Sequence, residues 1–188
     1  MRTLSLLVLV SLALAGCKKD GAAEAGGGGG GSTLTAKFPG TEAGAKDLLS
    51  TFLKQGNDNV ALTLALKPSS ADYRAVFATE ELAAAAEKTY ESLWSAVPKM
   101  PIGPKEGQTE LSMLSALTDE LKTGAGNSRE FPGGYKQASE WLKPGLRVYR
   151  WKFLKPGERL GMAFDGLYHV NGHWVLMPKP WRIKGPKA

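Results

Sequence analysis

The chain of 188 residues has one cysteine, Cys17, and two histidines, His169 and His173. A lone thiol cannot close an intrachain disulfide, so the fold must hold by burial alone. Linear catalytic signatures are missing as well. There is no His-Glu-x-x-His, no Gly-x-Ser-x-Gly and no glycine loop set between a strand and a helix. The six consecutive glycines Gly26 to Gly31 make no phosphate cradle, because no strand precedes them and no helix follows closely. Glu80-Glu81 and Asp119-Glu120 are explained as helix surface and capping residues, so no catalytic residue is assigned. The apolar run Leu4 to Leu14 is interrupted only by Ser5 and Ser11. As a helix it covers about 17 Å, roughly half of a bilayer core, and is too short to span.

That run is nonetheless informative. It follows a short basic start, Met1-Arg2-Thr3, and ends in Leu14-Ala15-Gly16-Cys17. A charged n-region, a short apolar region and small residues before a cut describe a signal peptide. Leu14-Ala15-Gly16-Cys17 resembles the lipobox of bacterial lipoprotein precursors. The resemblance implies cleavage between Gly16 and Cys17, leaving residues 1–16 as signal peptide. It also implies diacylglyceryl and N-acyl groups on Cys17, the only covalent group expected; no cofactor is. Several acyl chains anchor firmly where one is marginal. Lys18 follows the cysteine, where the enterobacterial pattern places Asp to retain a lipoprotein at the inner membrane. The resemblance therefore implies the cell envelope, with the outer membrane favoured.

Residues 17–37 show no apolar periodicity and hold the glycine run, so they are expected to form a flexible linker reaching about 25 Å. Residues 38–188 are one domain's worth of chain. Charge is unevenly divided along it. Residues 17–140 carry thirteen Lys/Arg and sixteen Asp/Glu, whereas residues 141–188 carry ten Lys/Arg and two Asp/Glu. The last third is thus strongly basic. It is read either as a solvated face or as a surface for anionic headgroups. Nucleic acid is not an expected partner outside the cytoplasm.

The first part of the domain reads as helices. Thr41 caps a segment running to about Gln55, with Ala45, Leu48, Leu49, Phe52 and Leu53 on one stripe. Val60–Leu66 reads as a short helix ended by Pro68, and Ser70 as the cap of a short turn. Thr79 caps the clearest helix, whose buried stripe is Leu82, Ala86, Tyr90, Leu93, Trp94 and Val97. Leu111, Leu114, Leu117 or Thr118, and Leu121 predict a further helix closed by Gly124.

After Pro132-Gly133-Gly134 the period changes. Tyr135–Leu142 is expected to be a strand. In the next strand Tyr149, Trp151 and Phe153 face one side, with Arg150 and Lys152 on the other. Leu160–Val170 follows, with Gly161 and Gly166 placed for a bend or bulge. Asn171-Gly172 predicts a type I′ turn pairing Val170 with His173, His169 with Trp174 and Tyr168 with Val175. Helices followed by an antiparallel run make the class α+β, with N-terminal helices on a curved antiparallel sheet of about four strands. In element order and length this resembles the NTF2-like or cystatin-like cone, and no residue motif carries function across.

His169, His173 and Asp165 lie close in sequence, but the hairpin register sends His173 to the face opposite His169, so no metal site is expected. Three readings of function stand. The first is a membrane-anchored envelope lipoprotein with a non-catalytic binding or accessory domain, contacting another envelope protein or anionic headgroups. For the latter, Arg147, Arg150, Lys152, Lys155 and Arg159 are the candidates. The second is a small-ligand carrier or enzyme with a cone-mouth pocket lined by Tyr149, Trp151, His169 and Trp174. The third is a surface structural or adhesion module.

Overall fold

The computed structural model describes residues 33–183. The expected signal peptide, the expected cleavage at Gly16 and the expected lipidation of Cys17 all lie outside the described residues. Seven α-helices and one antiparallel sheet are described: α1 Thr33–Ala36, α2 Glu42–Thr51, α3 Asn59–Leu64, α4 Ser70–Val76, α5 Glu80–Ala96, β1 Glu110–Leu117, α6 Thr118–Thr123, α7 Gly134–Ala138, β2 Arg147–Leu154, β3 Met162–Val170 and β4 His173–Leu176. The sheet order is β1-β2-β3-β4. The fold is α+β. The sequence places Thr33–Ala36 in a flexible linker, but they form α1, and Thr35 is fully buried, so the domain includes residues before Phe38.

The helix caps follow the sequence closely. Thr41 Oγ1 accepts from the Gly44 amide at 3.1 Å, and Thr79 Oγ1 accepts from the Leu82 amide at 3.2 Å. Each satisfies a donor that the first helical turn leaves free. α4 starts one residue earlier than expected because Ser69, not Ser70, is the cap. Its hydroxyl and amide reciprocate with Asp72, a capping box. On α5, Leu82, Ala86, Tyr90, Trp94 and Val97 are buried.

Two expectations were wrong, and they offset each other in the strand count. The segment predicted as a helix over Leu111–Leu121 divides into β1 and α6. The leucine spacing suits a helix, but propensity is worth only tenths of a kcal/mol per residue. Pairing β1 along the whole of β2, from Glu110 with Leu154 to Leu117 with Arg147, outweighs it. Gly124 does close the helix, at φ 73°. Tyr135–Leu142, expected as a strand, is α7 followed by a 3-10 turn over Ser139–Trp141. Its buried residues Tyr135, Ala138 and Leu142 are spaced three and four apart, while Gln137 is exposed. This places a helix, not a strand, against the sheet.

The strands of the last third match their expected order. β3 and β4 pair Val170 with His173, His169 with Trp174 and Tyr168 with Val175 across Asn171 (φ 51°) and Gly172 (φ 79°). β3 carries a bulge. Tyr149 pairs with Leu167 and Arg150 with Asp165, which leaves Gly166 unopposed at φ 86°. The extra residue reverses the alternation, so Asp165 lies on the face opposite His169.

Both faces of the sheet are covered. Tyr149, Trp151 and Phe153 share one face with Phe164, His169 and Trp174, in a chain of ring contacts at 5.0–5.7 Å. Phe52 of α2 meets Phe153 there, and the Trp174 indole donates to the Phe38 carbonyl at 3.0 Å. The other face carries Val148, Tyr168, Val175 and His173. It is met by α4 through Asp72 and by α7 through Tyr135. The core is one continuous cluster from Ala45 to Ile183.

Candidate functional site

The site arises where β4 stops. Met177 donates to the Gly166 carbonyl at 2.7 Å, and Pro178 then brings no amide to continue the ladder. β3 from Met162 to Asp165 is therefore left without a neighbour on that side among the described strands. The chain turns sharply at Lys179, at φ 54° and ψ 52°, a left-handed conformation for a residue held between two prolines. It settles into a 3-10 turn over Pro180–Arg182. Trp181 stacks edge-on against Tyr135 at 5.2 Å and lies over Gly134, where no Cβ would fit.

α5 passes along the free edge of β3 and forms the facing wall. Tyr90 fixes the distance, its hydroxyl donating to the Pro178 carbonyl at 2.9 Å. The loop after α5 is tied down by the Ile102 amide, which donates to Thr63 Oγ1 at 3.0 Å. Between these walls lies a cavity of about 560 Å³, within the roughly 300–1,000 Å³ of small-ligand pockets. Its lining is mostly apolar, with Leu93, Val97, Ile102, Phe164 and Leu176 prominent. Met100 and Met162, also lining it, are 74% and 41% exposed.

Asp165 is the buried carboxylate of this cavity, 6% exposed. One oxygen, Oδ1, accepts from the Tyr135 hydroxyl and from the Lys179 amide, both at 2.9 Å. It holds the tail and α7 against β3. Tyr90, Tyr135 and Tyr168 gather around it, and all three phenols are raised above their ordinary value. Burial is the main cause, and the nearby Asp165 charge adds to it. They stay neutral donors. The Tyr168 hydroxyl is buried and has no hydrogen-bond partner among the described residues. Lys179 and Arg182 also line the cavity, both exposed, and neither has a carboxylate within ion-pair distance among the described residues.

The residues expected to line a pocket lie elsewhere. Tyr149, Trp151 and Trp174 are at most 2% exposed, in a filled core, and none borders the cavity. His169 is half-buried, with its ring against Gly40 and edge-on to Trp174. Burial and the neighbouring His173 lower its pKa. His173 instead meets Asp72 at 3.1 Å on the far face. Ser69 and Asn171 also donate to that carboxylate, which lies below its ordinary range although burial opposes the shift.

The predicted basic face is divided. Arg150 and Lys152 share the face opposite Trp151, half-buried between buried Val148 and Leu154. Arg147 has the parity of Tyr149, and donates to Ser115 Oγ at 3.1 Å. Lys155 and Arg159 are exposed beyond the strand end. Arg150 pairs across the sheet with Asp165, and Lys152 with Ala163, so both neighbour the cavity. Sequence reasoning weighed Asp165 only as a metal ligand and missed that it, Lys179 and α5 form one site. The usable signals were Pro178-Lys179-Pro180 after a strand and a lone Asp165 beside a glycine.

Among the described residues no group of three or more His, Cys, Asp or Glu gathers to hold a metal, and no helix is long and apolar enough to cross a membrane. Compared with protein-family models, curated proteins and solved structures, the chain matches none.

Proposed function

We propose that this chain is a lipid-anchored protein of the cell envelope, the outer membrane favoured, whose domain binds a small ligand in the cavity floored by Asp165. Cys17 carries the diacylglyceryl and N-acyl groups after cleavage at Gly16. The domain is non-catalytic and accessory: it holds its ligand near the membrane at the end of the glycine-rich linker. The observation that carries the reading is the apolar cavity of about 560 Å³ with an inward-facing carboxylate. A concave, largely apolar surface with few convergent polar groups is where small ligands bind. Two experiments test the parts separately. Cys17→Ser should leave the membrane fraction, or stop at the precursor mass; an unchanged membrane fraction without acyl mass refutes the anchor. Native mass spectrometry of protein taken from its own cells should show a carried small molecule, lost when Ala96→Trp fills the cavity. A bare mass under gentle conditions refutes the carrier.

A further inference from the structure

Resting on that carrier reading, we infer that the cavity takes a single-chain amphiphile with a monoanionic head, a long-chain carboxylate. Its head would meet Lys179 and Arg182, and its chain would run along Leu93, Val97 and Phe164.

The cavity has two chemically different ends. Asp165 receives the Lys179 amide, and the Tyr90 hydroxyl reaches the neighbouring Pro178, so these groups and the tail cations share one end. Val97, Met100 and Ile102 follow further along α5 and its exit loop. Eight residues of helix from Tyr90 to Val97 advance about 10–12 Å. A ligand lying along α5 therefore passes from a charged end to a mostly apolar one, where Thr63 is an uncharged polar neighbour. That is the polarity of an amphiphile, and a hollow of this size admits one chain.

Charge selects the head. Lys179 and Arg182 line the cavity with no carboxylate within ion-pair distance among the described residues. Asp165 opposes them, but it is buried and its Oδ1 is engaged by two donors. The balance at this end remains positive, so an anion gains at the rim and is kept from the floor. Lys179 gives the second, independent sign. A lysine in the left-handed region before a proline is strained, and such strain is held where a side chain must be placed. Here the strained residue stands at the mouth. Met100 and Met162, exposed and conformationally adaptable, supply a yielding apolar lip for chain entry.

The test uses residues 18–188, which leave out Cys17 and so carry no acyl groups, and displacement of a fluorescent fatty acid. Tetradecanoate should compete at least about tenfold better than tetradecanol, and acetate not at all. Lys179→Glu with Arg182→Glu should weaken tetradecanoate by about tenfold or more and leave tetradecanol unchanged. Leu93→Trp or Ala96→Trp should abolish both, with melting temperature confirming that each variant folds. Equal binding of acid and alcohol, no displacement by tetradecanoate, or indifference to the double charge reversal overturns the inference. A different small molecule found by native mass spectrometry, with tetradecanoate inert, overturns it too while leaving the carrier reading intact.

Discussion

Gly166 and Gly172 have nearly the same backbone twist, φ 86° and 79°, and entirely different surroundings. A Cβ on Gly172 meets open space, whereas one on Gly166 collides with the Met177 carbonyl. Replacing each with alanine therefore separates backbone strain from steric exclusion. The left-handed conformation costs an L-residue roughly 1–2 kcal/mol, and Gly172→Ala should show that and little else. Gly166→Ala adds the displacement of Met177, whose amide donates to the Gly166 carbonyl at 2.7 Å. Losing that bond between buried groups adds about 1–3 kcal/mol. Gly166→Ala should thus cost about 3–4 kcal/mol, near 10 °C in melting temperature for a domain of this size. Urea denaturation of both variants measures the difference, expected at about 2 kcal/mol. The same substitution should abolish ligand binding, since the bulge orients Asp165. If the two alanine variants lie within about 0.5 kcal/mol of each other, the bulge is not the fixed point described above.

The buried Asp72–His173 pair joins α4 to the β3–β4 turn, and Asp72→Ala should cost about 3–5 kcal/mol, because the Ser69 and Asn171 donors and His173 lose their acceptor. The folded-state pKa of Asp72 lies below 3.8, so its stabilisation is present above that pH and is lost as pH falls through the depressed value; Asp72→Asn should flatten the acid limb of the stability curve, and an unaltered limb would exclude this carboxylate as its source. His169 also has a depressed folded pKa, so the fold loses stability as pH drops below about 6.5 toward that depressed value; His169→Gln should remove this loss, and an identical profile would refute the assignment. If Arg150 and Lys152 also meet lipid headgroups, the acyl-free chain should co-sediment with anionic but not neutral vesicles, and lose this at high salt; equal sedimentation with both would leave the basic face as solvated surface.

Legibility from sequence followed the range of the forces involved. Thr41 and Thr79 were readable because a cap is settled within three residues. Asn171-Gly172 was readable because a two-residue loop dictates the register of both flanking strands. Glu110–Leu117 was not, since its pattern of Leu111, Leu114 and Leu117 is a fair helical stripe. Only its partner, thirty and more residues later, makes it a strand. Tyr135–Leu142 failed for the converse reason: a short amphipathic segment reads either way until the surface beneath it is known. Tyr149, Trp151 and Phe153 were correctly placed on one face of their strand, which is the core side, and Trp174 lies on that face too. The role of Tyr149, Trp151 and Trp174 as pocket lining did not follow, because aromatic-rich inner faces pack solid unless something holds them apart.

The cavity owes its place to three local decisions that act together. Pro178 ends β4 four residues after it begins, so the remaining edge of β3 has no strand to cover it. Gly166 inserts one residue into that edge and turns Asp165 from the aromatic face toward α7 and the tail. Asp165 then captures the Lys179 amide and so fixes the turn that brings two cations to the mouth. Each step is legible as a residue type, namely a proline, a glycine and an aspartate, but none is legible as a site. Without the bulge Asp165 would lie beside Leu167 among the rings, a costly position for a carboxylate with no donor nearby. With it, the same residue gains two donors at 2.9 Å and becomes the polar end of an otherwise apolar hollow. The composition of the last third points the same way. Ten basic residues against two acidic ones make an isolated buried carboxylate conspicuous, and its task here is to hold the backbone that presents Lys179 and Arg182.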